Sequence, residues 1–125
     1  MHIWSYNLVM KNLIKTAKAI SDETRIRILK VLLERECCVC EVMQALDISQ
    51  SRASRNLGIL ENAGFVKPRR DGLWIVYSID KQTMNSHVAS LTEMLRSSLI
   101  DEEIVMRDRK RLSRATRVGP RLIPK

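Results

Sequence analysis

SQSRASRNLGILENAGFVKPRRDGLWIVYSI, residues 49–79, holds two kinds of periodicity in a fixed order. Its first half repeats apolar residues at helical spacing, Ala53, Leu57 and Leu60, behind a serine suited to cap a helix. The Ser49 hydroxyl is placed to accept a hydrogen bond from a backbone N–H that the first turn leaves unpaired. Gly64 is placed to end that helix in a left-handed conformation. Phe65 to Arg70 and Leu73 to Ile79 then read as two strands around Asp71-Gly72, a dipeptide that tolerates the positive φ of a tight hairpin turn. Pro68 has no N–H to give to a ladder, so the first strand is expected to be short or exposed there. The hairpin carries a basic tip, Arg69 and Arg70.

Upstream, Val42, Met43 and Leu46 predict a short helix, and Asp47-Ile48 a tight break before Ser49, which is helix-turn-helix spacing. Before that, Ile28, Leu29, Leu32 and Leu33 mark the buried face of a helix capped by Ser21 or Asp22 and ending near Glu34. Arg25, Arg27, Lys30 and Arg35 fall mainly on its exposed side. Met10, Leu13, Ile14 and Ala17 predict a first helix over residues 6–18. Downstream of Asp80, read as a cap, Met84, Val88, Leu91, Leu95 and Leu99 form a stripe that one small domain has little interior to receive. This last helix and the first are read as a dimer surface, with ordinary core packing of a terminal helix as the alternative. The fold class is therefore mainly α with a small β-hairpin wing: a winged helix-turn-helix, homodimeric through its first and last helices.

Composition narrows the classes. The 125 residues, 45% apolar and 29% charged, suit one domain. Five aromatic residues argue for a core of aliphatic side chains between helices and against an all-β fold. The longest wholly apolar run, Leu73 to Tyr77, is far below the ~20 residues of a bilayer span, and no export signal is evident, so a cytoplasmic protein without membrane contact is expected. The net charge of +8 is concentrated: residues 107–125 hold eight Lys or Arg against one Asp. Residues 1–106 are read as the DNA-binding and dimerisation domain, and 107–125 as a basic, disordered tail.

A helix, turn, helix and basic hairpin place the second helix in a major groove and the wing on the backbone or minor groove. Gln50, Ser51, Ser54 and Asn56 offer hydrogen bonds to base edges, and Arg52 and Arg55 suit guanine or phosphate, joined by Arg69 and Arg70 at the wing. The competing reading is a merely solvated helix face. No Ser-His-acid set, phosphate loop or catalytic carboxylate pair can be placed, so the chain is not read as an enzyme.

Over approximately residues 8–100 the chain resembles the ArsR/SmtB family of bacterial metal-sensing repressors. The resemblance is carried by Asp22-Glu-Thr-Arg25 with Ile28-Leu29, by ECCVCEVM at 36–43, and by residues 49–79, at matching separations. It implies a homodimeric repressor on an imperfect inverted repeat of double-stranded operator DNA. The family often has Pro after Ser-Gln and His before Leu, where this chain has Ser51 and Asn56, so no operator sequence carries over.

Cys37, Cys38 and Cys40 are an odd set that a disulfide scaffold would not use, and reduced thiols are expected. Soft thiolates suit Zn(II), Cd(II), Cu(I), or trivalent arsenic or antimony. The arsenic-sensing branch of the family carries ELCVCDLC here, so the resemblance assigns Cys38 and Cys40 as ligands. Cys37 stands where that branch has Leu, and Met43 where it has the third Cys, leaving Cys37, a small thiol from solution, or nothing as third donor. In a regular helix, at ~100° per residue, Cys38 and Cys40 lie about 200° apart, so capture would unwind the first turn of the short helix and release DNA. No permanent cofactor is expected. As(III) or Sb(III) is read as inducer, with Cu(I) or thiol oxidation on the same repressor as alternatives. A thiol-based redox enzyme or metal carrier is the alternative of a different class. Buried cysteines acting only as small hydrophobes are the bland reading.

Overall fold

The computed structural model describes residues 3–119. Nine elements follow in chain order: α1 Ile3–Ile20, α2 Glu23–Glu34, β1 Cys37–Cys38, α3 Val39–Leu46, α4 Gln50–Asn62, β2 Val66–Asp71, β3 Trp74–Ile79, α5 Ser86–Ser97 and α6 Glu103–Arg114. The helix-turn-helix forms for the local reasons its sequence suggests. Asp22 caps α2 by accepting from Arg25 N at 3.1 Å, and Ser49 caps α4 by accepting from Arg52 N at 3.2 Å. Asp47 ends α3 in the left-handed region, with φ 57°. Past α4, Gly64 takes φ +90°, Phe65 N donates to Leu60 O at 2.9 Å and Gly64 N to Glu61 O at 3.0 Å, the paired bonds of a Schellman ending. Phe65, directly after it, is fully buried in the main core with Ile28, Leu29, Val42, Ala53, Leu57 and Leu60.

The wing is a hairpin of β2 and β3 with Asp71 opposite Trp74, so Gly72-Leu73 forms the turn, one residue later than the sequence suggests. Gly72 supplies φ +62°. The sheet has a third strand: β1 pairs antiparallel to β3, Cys37 opposite Tyr77 and Cys38 opposite Val76.

Four expectations are corrected. The helix after the wing starts at Ser86 under an Asn85 cap that accepts from His87 N and Val88 N, not at Asp80, so Met84 lies outside it and is 99% exposed. Of its stripe, Val88 and Leu95 pack in the chain's own core, while Met94 and, past the helix, Leu99 stay exposed. Arg27 and Lys30 are buried, not solvated: Arg27 pairs with Asp108, and Lys30 Nζ donates to Leu95 O and Ser98 O, both at 2.7 Å, where α5 ends. Finally, residues 107–114 are not a disordered tail. They complete α6, which starts before position 107 and seats Val105, Asp108 and Leu112 against α2 and α3. Residues 115–119 continue along α3 and the wing, and residues 120–125 lie outside the described residues.

The first helix keeps its apolar stripe bare: Leu8, Val9, Met10, Leu13 and Ile14 are exposed, while Thr16 and Ala19 face inward.

Candidate nucleic-acid interface and thiol pair

Because Ala53, Leu57 and Leu60 take the buried side of α4, the opposite side presents Ser51, Arg52, Ser54 and Arg55 to solvent, with Gln50 half-buried beside them. Arg52 is steered by a 2.6 Å bond from its Nη2 to Thr24 Oγ1 on α2. Asn56 does not belong to this face. It is 5% exposed, its Oδ1 accepts from Arg25 Nη1 at 3.0 Å, and its Nδ2 donates to Arg52 O at 2.9 Å. Its expected base contact is therefore replaced by an internal role. Arg25 also donates to Ala19 O and Lys18 O at the end of α1, so one guanidinium joins α1 to the middle of α4. In the sequence Arg25 stands out only as part of a motif. A buried polar residue in α4 requires a partner, and that requirement is the one signal that points to Arg25.

On the wing, Arg70 and Lys67 are exposed. Arg69 is also exposed but engaged: Glu36 accepts from its Nη2 at 2.5 Å and Asp71 lies 3.8 Å from its Nη1. The hydrogen bond from Arg69 holds the Glu36 carboxyl below its usual range.

The cysteines divide between two faces because Cys37 and Cys38 sit in a strand, where successive side chains point in opposite directions. Cys37 enters the main core at 0% exposure, with Sγ donating to Arg35 O at 3.4 Å. Burial pushes its thiol up to about 12. Cys38 and Cys40 face the other way, into a small cluster with Val76, flanked by Trp74 and Val118. Cys37 as a third ligand is thus corrected: its sulfur is on the far side of the strand. The expected separation of Cys38 from Cys40 is corrected too. Cys38 is the extended N-cap of α3, φ −73° and ψ 167°, not part of its first turn. Its Cα lies 5.4 Å from that of Cys40, within disulfide range, and the two are bonded as a disulfide rather than held as free thiols. Glu41 fixes the turn by accepting from Cys38 N at 2.9 Å while Arg35 Nη1 donates to its other oxygen at 2.6 Å.

As a donor set, the reduced pair supplies two soft sulfurs side by side without any unwinding of α3. Among the described residues no group of three or more His, Cys, Asp or Glu is arranged to hold a metal ion. The pair therefore fits a thiophilic centre that accepts two protein sulfurs and takes its remaining donor from solution, and does not fit a closed four-ligand site.

A helix-turn-helix, α3 and α4, packed on α2 and followed by a hairpin, defines a winged helix-turn-helix. Residues 22–67 match the bacterial regulatory protein, arsR family. Among relatives, a cadmium resistance transcriptional regulatory protein CadC homolog of Staphylococcus aureus is 42% identical over 80 residues, 63% of each chain. The arsenical resistance operon repressor of Escherichia coli is 40% identical over 67 residues, 53% of this chain and 57% of that one. The chain thus spans somewhat more than half the length of either of these two relatives. An uncharacterised HTH-type transcriptional regulator of Mycobacterium tuberculosis is 35% identical over 92 residues, 73% of this chain and 81% of that protein. Among solved structures, the homodimeric winged helix-turn-helix DNA-binding domain of a possible ArsR-family regulator from Mycobacterium bovis superposes with a TM-score of 0.65 at 26% identity, covering 77% of this chain and 84% of that one. The chain belongs to the ArsR family of bacterial regulatory proteins, a family of DNA-binding transcriptional regulators and not of enzymes. Among the described residues no helix is long and apolar enough to cross a membrane.

Proposed function

We propose that this chain is a cytoplasmic transcriptional repressor that binds an imperfect inverted repeat of operator DNA as a homodimer and lets go when As(III) or Sb(III) is captured by Cys38 and Cys40. The observation that carries the reading is the position of the sulfur pair, at the N-cap of the first helix of the helix-turn-helix and against the base of the wing. Gln50, Ser51, Arg52, Ser54 and Arg55 meet the major groove, and Arg69 and Arg70 the backbone at the wing. The bare stripe of α1, with exposed Met94 on α5, suits a second copy, as in the homodimeric M. bovis domain. Twofold symmetry then sets one recognition helix on each half-site.

Capture starts from the reduced pair. Each thiol forms one As–S bond to arsenous acid and its proton leaves with an arsenic-bound hydroxide as water, giving two As–S bonds and two waters. The third position keeps hydroxide or takes a small thiol. Cys38 and Cys40 are 1% and 2% exposed, so an arsenic atom that joins their sulfurs must displace a neighbour packed on them, Trp74 of the wing or Val118. Moving the population from nearly all bound to nearly all free requires about 5.5 kcal/mol of differential affinity.

The Cys38–Cys40 disulfide favours a second reading, a repressor switched by thiol oxidation. A hydroperoxide would convert one thiolate to sulfenic acid, and the second thiol would displace water to close the disulfide. A DNA-release titration of the reduced protein with As(III), Sb(III), Cu(I), Cd(II), Zn(II) and peroxide separates the two. Release by As(III) or Sb(III) that is lost when Cys38 and Cys40 become Ser supports the first reading. Release by peroxide alone replaces it with the second.

A further inference from the structure

Beyond α6 the chain turns back over the sulfur pair and is held there by α3 and by the wing. Gln44 on α3 grips Thr116 twice, Nε2 donating to Thr116 O at 2.7 Å and Oε1 accepting from Thr116 N at 3.1 Å. Arg117 Nη1 donates to Asp71 Oδ2 at the wing tip at 2.6 Å, its Nε lies 3.7 Å from Glu41 Oε1, and its guanidinium stands 5.6 Å from the centre of the Trp74 ring. Trp74 Nε1 donates to Val118 O at 2.7 Å. Val118 then packs on the cluster of Cys38, Cys40 and Val76. The two sulfur residues are buried, and the half-buried members of their cluster are Trp74 and Val118.

We propose that residues 115–119 are a lid on the Cys38–Cys40 pair, latched to the wing by Trp74 and Arg117, so that access to the sulfurs, the size of ligand admitted and the freedom of the wing are set by one opening. The inference rests on the reading of the pair as the sensing site, and it names what regulates that site. A ligand between the sulfurs occupies the place of Val118, which pulls on the carbonyl that holds Trp74 and, one residue away, on the guanidinium that holds Asp71. Lid and wing tip leave together. A small oxyacid such as arsenous acid needs a brief opening, whereas an aryl arsenical needs the lid to stay off, so the latch discriminates by bulk.

The test uses the full, reduced chain and its Trp74→Phe and Arg117→Gln variants. Trp74→Phe keeps an aromatic ring and removes the N–H, and Arg117→Gln removes the bond to Asp71. The rate of maleimide labelling is followed at each cysteine by mass spectrometry, with buried Cys37 as the internal control for folding. Loss of one latch hydrogen bond should raise labelling at Cys38 and Cys40 about tenfold, leaving Cys37 unchanged. The ratio of phenylarsine oxide to arsenite association should rise in the same variants. Hydrogen exchange at residues 70–75 and 115–119 should rise together when arsenite is added to the parent protein. Should Trp74→Phe also expose Cys37, the labelling of Arg117→Gln decides between lid and no lid. Labelling of Cys38 and Cys40 unchanged in a variant whose Cys37 stays protected overturns the lid. Arsenite that binds both sulfurs without raising exchange in either segment overturns the coupling to the wing. Faster labelling in variants of a protein that arsenite never releases from DNA would remove the As(III) reading and leave the lid standing.

Discussion

Arg27 and Asp108, 81 residues apart in sequence, meet in the interior through two parallel hydrogen bonds, Nε to Oδ2 at 2.8 Å and Nη2 to Oδ1 at 2.9 Å. Nη2 also donates to Leu46 O at 3.0 Å, the last residue of α3. One guanidinium therefore joins α2, the end of α3 and α6, and the hydrogen bond to Asp108 keeps it more firmly charged than usual. Asp108→Ala leaves that charge buried without its counterion, and a loss of about 3–5 kcal/mol is expected, read as a lower urea midpoint. Arg27→Met combined with Asp108→Leu should recover most of it, because an apolar pair of similar size carries no desolvation cost. A single-variant loss near zero would mean that water reaches the guanidinium.

Asn56 provides a second internal tie, between Arg25 and the backbone of α4. Asn56→Ala removes the oxygen that accepts from Arg25 Nη1 and leaves it only Asp22 Oδ2 at 4.0 Å, with an expected cost of about 1–3 kcal/mol in stability. Since Asn56 is buried, DNA affinity should fall by a similar factor for every duplex in an oligonucleotide selection, and base preference should stay the same. A preference that shifts at one base-pair position would instead place this side chain in the groove.

These two ties also show where the sequence is legible. Ser49, Gly64, Asp22 and the Asp71-Gly72 region announce α4, its ending, α2 and the wing, because caps and turns depend on a few neighbouring residues. β1 is not legible: two residues carry no alternation, and the strand exists only through pairing with Tyr77 and Val76. That strand decides which way each cysteine points, so the site's details are hidden with it. α6 is hidden for a different reason. Its inward stripe is Val105, Asp108 and Leu112, helical in spacing but with a carboxylate at the centre, and a stripe with a charged middle reads as solvated until its distant Arg is known. Lys30 misleads in the same way, since the carbonyls it serves lie 65 and 68 residues further along.

The latch at the wing tip should respond to acid. The hydrogen bond from Arg117 holds the Asp71 carboxyl below its ordinary 3.8, with Arg69 adding to the effect, while Arg117 also faces Glu41 and Arg69 also faces Glu36. A carboxyl depressed in the folded state stabilises it fully above the ordinary value, and that contribution disappears as pH falls through the lowered one. The lid should therefore be insensitive between pH 5 and 8 and loosen only below about pH 4. Trp74 fluorescence in a Trp4→Phe background reports it, and Asp71→Asn should give the low-pH signal already at pH 7. A transition between pH 5 and 8 would assign the latch to some other group.

The exposed face of α4 makes the final prediction. Arg55 is exposed and Arg70 stands at the tip of the wing, whereas Arg52 is tethered to Thr24 and Arg69 to Glu36. If Arg70 meets a phosphate, Arg70→Ala should weaken all duplexes alike and reduce the salt dependence, the slope of log K against log salt, by about 1. If Arg55 reads a base edge, Arg55→Ala should cost about 1–3 kcal/mol and relax the preference at one position in each half-site. Arg55→Lys distinguishes the two roles at that residue, since lysine keeps the charge for a phosphate but loses the bidentate fork that suits guanine. Should neither alanine variant lower affinity for any duplex, α4 and the wing are not the surface that meets DNA.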